Sequence, residues 1–220
     1  MKEILITPIV VLGLLAMTSQ VLAAEPALRE KEGFSLEVAT GIVGIDQFEE
    51  TQAALAINPR WCRGRNQPWC WWIDIWWIDG PWPDPWGGDL VIDDTRVPVS
   101  DLDVGPALMI APAIEYRFQP ENRLTPSLYF GLGLQWEDGN TTNISGVGKF
   151  STDSTTSPVA IFGGALTYDL TSTTALRFAA GGSLVFMGDM DIDGPGGTNF
   201  DVDGDEVLNG IVSVGLEFAL

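Results

Sequence analysis

Residues 208–220 alternate almost without fault between large apolar side chains and small or polar ones. Val212 and Phe218 stand at even positions, and Ser213 and Glu217 at odd positions. Successive side chains of a strand point to opposite faces, so this segment predicts a strand with one apolar face. A soluble domain rarely places such a strand at a chain end, because chain ends fray. A closed membrane barrel is expected to end this way, because its last strand pairs with its first.

The same alternation recurs upstream. The segments are about as long as the roughly 9–11 residues that a tilted strand needs to cross a bilayer. Six segments are clear, and two more complete an even-numbered barrel. The predicted strands cover residues 34–42, 52–59, 69–79, 104–118, 124–137, 160–170, 176–186 and 208–220. The sequence therefore predicts an all-β protein, a transmembrane antiparallel up-and-down β-barrel of eight strands.

The connections between these segments are tight at one end and long at the other. Residues 119–123 and 171–173 are predicted as tight turns. Residues 80–103, 138–156 and 188–206 are predicted as long outer loops that are polar and acidic. Short periplasmic turns and long outer loops are typical of outer-membrane barrels.

The second face of the predicted strands argues against the alternative, a soluble antiparallel barrel or sandwich. A face in contact with water would be rich in Lys, Glu, Thr and Arg, whereas this one is mostly Gly, Ala and Ser. Small residues with a few charges suit the interior of a narrow barrel. Four prolines lie within or beside these segments and oppose the assignment, because proline removes a ladder hydrogen bond. They are Pro106, Pro112, Pro126 and Pro158. Pro112 predicts a bulge or a break.

The first part of the chain has the features of a secretory signal peptide. Lys2 precedes an apolar run at residues 4–16, and small residues for cleavage occur by Ala23. The alternative is an uncleaved membrane anchor, but the run is shorter than the roughly 20 residues that a spanning helix needs. Residues 1–23 are therefore predicted as a signal peptide, and residues 24–220 as the barrel.

The net charge of −19 excludes some partners. Nucleic acid is excluded, because its phosphates attract Lys and Arg. Anionic lipid surfaces are disfavoured unless divalent cations intervene. The acidic residues concentrate between the apolar strands, and a solvated surface explains most of them.

The segment VGLEF at residues 214–218 resembles the terminal motif of small outer-membrane barrels, such as the OmpA membrane domain and the OmpW-like proteins. Those families typically end in Phe, whereas this chain ends in Phe218-Ala219-Leu220. The resemblance implies a bacterial outer-membrane protein, inserted from the periplasm by the barrel-insertion machinery. Its expected surroundings are outer-membrane lipid and lipopolysaccharide. The resemblance implies no substrate.

The chain contains no histidine. The small outer-membrane barrels that are enzymes resemble one another in needing a histidine base. Without that base a serine has no usual partner for activation. Carboxylate pairs could act as acid and base, but no pair stands out. We therefore predict no catalytic or cofactor-binding residues.

The loop at residues 188–206 is the best candidate for binding a cation. Asp189, Asp191, Asp193 and Gly194 match the opening of an EF-hand loop, but Phe200 occupies the position of the closing glutamate. The candidate Ca²⁺ ligands are Asp189, Asp191, Asp193, Asp201, Asp203 and Asp205. Such a weak site could bridge to lipopolysaccharide phosphates. The alternative is a solvated acidic loop.

Cys62 and Cys70 are the two cysteines of the chain. In an oxidising compartment they are expected to form a disulfide that pins a turn at residues 59–68. A metal site is disfavoured, because there is no histidine and no further thiol.

Eight of the nine tryptophans fall within residues 61–86. Those in the predicted strand region are Trp69, Trp71, Trp72, Trp76 and Trp77. The first interpretation is a membrane-facing hairpin, because tryptophan prefers the headgroup layer. The second is an aromatic platform for an apolar or sugar ligand. The third is a partner-binding or partly disordered insertion.

The inward face of the predicted barrel carries charges of both signs. These residues are Glu37, Glu115, Arg117, Asp169, Arg177 and Glu217. Buried charges need partners, so we predict an internal salt-bridge network that blocks or narrows the lumen.

Three hypotheses follow for function. The first is a non-enzymatic outer-membrane barrel with a structural role or narrow-pore passage of small solutes, including apolar ones. The second is a ligand-binding or adhesion surface built from the Trp-rich segment and the acidic outer loops. The third is a secreted soluble β-domain.

Overall fold

The computed structural model describes residues 33–45, 50–63, 67–78, 89–92, 95–98, 105–188, 190–202 and 206–220. The predicted signal peptide lies outside these residues. Within them, no helix is long and apolar enough to cross a membrane.

The described chain is built almost entirely from strands. In chain order they are β1 (Gly33–Ile45), β2 (Glu50–Cys62), β3 (Trp69–Ile78), β4 (Asp89–Ile92), β5 (Thr95–Pro98), β6 (Ala107–Arg117), β7 (Leu124–Glu137), β8 (Thr141–Ile144), β9 (Gly148–Thr152), β10 (Thr155–Asp169), β11 (Thr174–Phe186), β12 (Met190–Asp193), β13 (Asn199–Val202) and β14 (Glu206–Ala219). A short 3-10 turn, Pro195–Gly197, joins β12 to β13.

Eight of these strands form a closed barrel in the order β1-β2-β3-β6-β7-β10-β11-β14. Each pairs antiparallel with the next along the chain, and β14 returns to β1, with Leu216 opposite Val38. The predicted eight-stranded up-and-down barrel is confirmed. The closing pair is the one expected from the alternation at residues 208–220.

The side chains follow the predicted parity. Large apolar residues face outward, and Leu132 and Trp71 are 61% and 59% exposed. Inward positions carry small, polar and charged residues, and the buried side chains include Ala56, Ser127 and Glu115. A closed barrel with an apolar outer belt satisfies its backbone groups internally and suits lipid. The chain is therefore a transmembrane barrel. Its tight connections mark the periplasmic end and its long ones the extracellular end.

The long outer connections contain strands, which differs from the prediction of polar loops. β4 pairs with β5 within residues 80–103. The connections at residues 138–156 and 188–206 contribute two strands each to one sheet, in the order β13-β12-β9-β8. We call this four-stranded unit the extracellular sheet. The sequence did not reveal it because each strand is short and the β9–β12 pairing that joins its two hairpins is distant in the chain.

Several strand boundaries also differ from prediction, and β10 begins at Thr155, five residues before the predicted strand. β2 continues past Pro59 to Cys62, so the turn after it is shorter than the predicted 59–68. β6 begins at Ala107, and Pro106 therefore precedes the strand. At Pro59 proline interrupts the ladder to β3 but does not end the strand, because β1 still pairs with β2 there.

Pro112 causes a break in one ladder and no bulge. The β6–β7 pairing runs from Ile110↔Leu134 to Ala113↔Gly131, so the register is unchanged across the gap. On its other side Pro112 pairs normally with Ile73 of β3. A bulge would have shifted the register by one residue.

Gly133 allows β7 to approach β6 closely beside this gap. A Cβ at Gly133 would collide with the carbonyl oxygen of Ile110 and the Cα of Ala111. We expect Gly133→Ala to lower the free energy of unfolding by about 1–3 kcal/mol, since the colliding atoms are backbone. Urea unfolding in lipid vesicles measures this. The matched control is Gly164→Ala, whose Cβ would lie 3.4 Å from the nearest atom. Equal stability of the two variants would contradict the prediction.

Candidate functional site

Six charged side chains meet inside the barrel near its periplasmic end. They are Glu37, Arg60, Glu115, Arg117, Arg177 and Glu217, and we call them the charged cluster. None is more than 4% exposed. The cluster holds three arginines and three glutamates, so its formal charges balance. Buried charges are tolerated when they are paired in this way.

Glu115 and Arg60 lie at the centre of the cluster. Arg60 Nη1 and Arg177 Nη1 each lie 2.7 Å from a Glu115 carboxylate oxygen, and Arg117 Nε lies at 3.4 Å. The Ser127 hydroxyl donates a 2.5 Å hydrogen bond to the same carboxylate. One glutamate thus receives donors from β2, β6, β7 and β11, which ties opposite walls of the barrel together.

The register explains why arginines are needed at the seam. Glu37 of β1 lies directly opposite Glu217 of β14, and like charges in such a pair destabilise a sheet. Arg60 lies 3.0 Å from Glu37 and 3.9 Å from Glu217. Ser35 donates a 2.6 Å hydrogen bond to Glu217. These contacts offset the repulsion between the two carboxylates.

Two aromatic residues cover the cluster on its extracellular side. The ring of Trp72 lies 4.5 Å from Arg60 Cζ and 5.1 Å from Arg177 Cζ. Tyr129 meets Trp72 edge to face, with ring centroids 5.3 Å apart. Cation–π contacts of this kind are attractive when desolvated. They hold the two guanidinium groups in the lumen.

Above this layer an apolar cluster extends from the barrel interior into the extracellular sheet, beside buried polar side chains such as Gln135 and Asn209. Phe150 of β9 and Ile192 of β12 are 1% and 0% exposed. They belong to this cluster with barrel residues such as Val159 and Val185. The apolar underside of the extracellular sheet therefore closes this end of the barrel.

The structure brings together five of the six predicted lumen charges. Asp169 is the exception: it is buried at the last position of β10, and Arg123 donates to its backbone carbonyl. Prediction missed Arg60 because the predicted strand stopped at Pro59. Arg60 has the same parity as Asn58 and Cys62, and a longer strand would have turned it inward. Asp74, which is 4% exposed, was missed among the tryptophans of β3.

The Trp-rich segment is split between the two faces of β3. Trp69, Trp71 and Trp77 point outward and are about half exposed. Trp72 and Trp76 point inward and are buried. Up to Ile78 the segment is barrel wall, so it is not a disordered insertion there. Its remaining tryptophans lie outside the described residues, apart from Trp61, which faces outward on β2.

Cys62 and Cys70 form a disulfide. They lie opposite each other in the β2–β3 register, next to the periplasmic turn. Both are buried. The bond links the strand that carries Arg60 to the strand that carries Trp72.

Of the predicted calcium ligands, the structure describes the side chains of Asp191 and Asp193, and both are exposed on β12. The register places Asp201 of β13 opposite Asp191. Asp189, Asp203 and Asp205 lie outside the described residues. Among the side chains that are described, no group of three or more acidic or cysteine residues could hold a metal ion.

Comparison with protein-family models and with curated proteins gives no match. Solved structures do match in fold. Neisserial surface protein A is 14% identical to this chain, with a TM-score of 0.50. The match covers 86% of this chain and 98% of the Neisserial chain. A major outer membrane protein from Thermus thermophilus is 13% identical, with a TM-score of 0.57, covering 84% and 98%. The outer membrane protein OprG from Pseudomonas aeruginosa is 13% identical, with a TM-score of 0.50, covering 87% and 99%.

The chain therefore has the fold of small bacterial outer-membrane barrels. The apolar outer belt and the closed strand order give the same result from physical argument alone. The predicted fold class and the predicted outer-membrane location are confirmed.

Proposed function

We propose that this protein is a non-enzymatic outer-membrane barrel with a closed lumen, which anchors the extracellular sheet at the cell surface. The observation that carries the proposal is closure at both ends. The charged cluster crosses the lumen near the periplasm, and Phe150 and Ile192 close the opposite end. A barrel filled in this way is a packed core rather than a pore.

The interior chemistry supports a structural role for the buried charges. Each carboxylate of the charged cluster faces at least one guanidinium group within 4 Å. Each of these carboxylates is thereby paired with an opposite charge. The chain contains no histidine, the side chain that most often acts as a general base.

Passage of small apolar solutes is the second role that the sequence allows. The apolar cluster above Trp72 favours it, but a solute would have to displace both the extracellular sheet and the charged cluster. We therefore expect no steady conduction by the resting protein.

Planar-bilayer recordings test the closed lumen. The unmodified protein should give no stable single-channel steps. A variant that combines Glu37→Ala and Arg60→Ala with short turns in place of residues 140–153 and 188–205 should conduct, because the extracellular closure is removed and the charged cluster loses two of its six side chains. Removing a glutamate and an arginine together leaves the formal charge of the cluster balanced. Steady channels in the unmodified protein would overturn the proposal.

We further propose that the extracellular sheet contacts lipopolysaccharide through Ca²⁺. The exposed Asp191 and Asp193, with Asp201 opposite Asp191 in the register, favour this second role. Opposed acidic residues repel each other, and a shared cation would relieve that repulsion while binding phosphate.

Melting in vesicles with and without lipopolysaccharide tests the calcium proposal. Calcium should raise the melting temperature by about 2–4 °C in lipopolysaccharide vesicles, and Asp191→Asn with Asp193→Asn should abolish the rise. Glu121→Gln, an exposed change at a periplasmic turn, is the control for loss of charge. An identical calcium effect in all three proteins, or none in the unmodified one, would refute it.

A further inference from the structure

Several buried polar atoms in the barrel have no hydrogen-bonding partner in the part of the chain that the structure describes. Those on residues that line one cavity include Nε1 of Trp72, Nε1 of Trp76, Oδ1 of Asp74 and Nη2 of Arg177. Their side chains are 6%, 4%, 4% and 1% exposed. Leaving such an atom unpaired costs roughly 1–3 kcal/mol. Their concentration around one cavity indicates a molecule bound between them.

All four residues line one small cavity beside the charged cluster. Small residues form another part of the cavity wall. They are Ala179 and Gly182 of β11 and Ser213 of β14, which is the register partner of Ala179. The enclosed space holds about one water molecule. A larger side chain on this wall would fill it.

The donors and acceptors define the chemistry of the occupant. The indoles of Trp72 and Trp76 and the Arg177 guanidinium present N–H donors, whereas Asp74 presents an acceptor. An anion would meet the carboxylates of Asp74 and Glu37. A metal cation would meet the N–H groups of Trp72 and Arg177. A neutral molecule that both accepts and donates hydrogen bonds serves these donors and this acceptor together.

We infer that this cavity is a binding site for one small hydroxylic molecule, with water as the occupant. A hydroxyl oxygen accepts from Trp72 and Arg177, and its proton is donated to Asp74. The inference is independent of the proposed surface role.

Nuclear magnetic resonance of the protein in deuterated detergent tests the site with water as the probe. The indole N–H signal of Trp72, assigned with Trp72→Phe, should show an Overhauser cross-peak to a long-lived water. Asp74→Asn keeps an acceptor oxygen and should retain the cross-peak. Asp74→Leu removes the acceptor and should lose it.

Heat-dependent gel mobility first establishes that each variant is folded. Absence of the cross-peak in the unmodified protein overturns the inference, even if a variant fails to fold. So does a cross-peak that is unchanged in folded Asp74→Leu. Neither result depends on conductance or on calcium binding, so the proposed function is tested separately.

Discussion

Replacing Glu115 with alanine is expected to lower the free energy of unfolding by about 3–5 kcal/mol, the cost of removing one partner from a buried ion pair. Arg60, Arg117 and Arg177 all lie within 3.4 Å of its carboxylate. Without it, positive charge remains buried where water cannot reach. Urea unfolding in lipid vesicles, followed by heat-dependent gel mobility, measures the loss.

The control for this substitution is Glu121→Ala. Glu121 is an exposed glutamate in the periplasmic turn after β6, and its removal should change stability by less than about 0.5 kcal/mol. If Glu115→Ala and Glu121→Ala have equal effects, the charged cluster does not stabilise the barrel in the way we describe.

A positive charge on the outer face should be nearly as damaging. Leu132 of β7 faces lipid with 61% of its surface exposed, and it lies in the middle part of its strand. Leu132→Arg should therefore cost about 2–4 kcal/mol, the range for arginine at the bilayer midplane of membrane barrels. The same vesicle unfolding assay measures it.

The same strand offers a matched control. Leu124 is the first residue of β7 and is 50% exposed at the periplasmic end. Leu124→Arg should cost only about 0–1 kcal/mol, because the cost falls near the interface. A soluble protein would show no such dependence on depth, so equal costs at the two positions would argue against the membrane barrel.

The barrel itself could be predicted because its signal is local and repeated. Apolar residues recur at every second position, as at Leu128, Phe130 and Leu132, and they fall on one face in each strand. Register then follows, because a slip by one residue would turn the apolar face inward. Alternation alone also identifies five of the six charges of the cluster.

The remaining features depend on contacts that a linear pattern does not contain. Arg60 was missed because the sequence predicts a strand end at Pro59, although proline interrupts only one ladder there. The extracellular sheet was missed because β9 pairs with β12, some forty residues later in the chain. The closure by Phe150 and Ile192 depends on that pairing.

The tryptophans show how far composition alone can mislead. Their density on residues 61–86 favoured one common role for all of them. In β3, successive tryptophans instead lie on opposite faces of the strand. Trp71 faces lipid, and Trp72 covers two arginines. Parity, which the alternation along the strand already indicates, was the more informative signal.

The most direct test of the closed lumen is hydrogen exchange at individual arginine side chains in the lipid-embedded protein. Arg60 and Arg177 are 0% and 1% exposed, whereas Arg63 is exposed at the periplasmic turn. The Nε protons of Arg60 and Arg177 should exchange at least about 100-fold more slowly than that of Arg63, because exchange requires opening of the buried network. Similar rates at all three arginines would mean that water reaches the charged cluster, and the lumen would then be open.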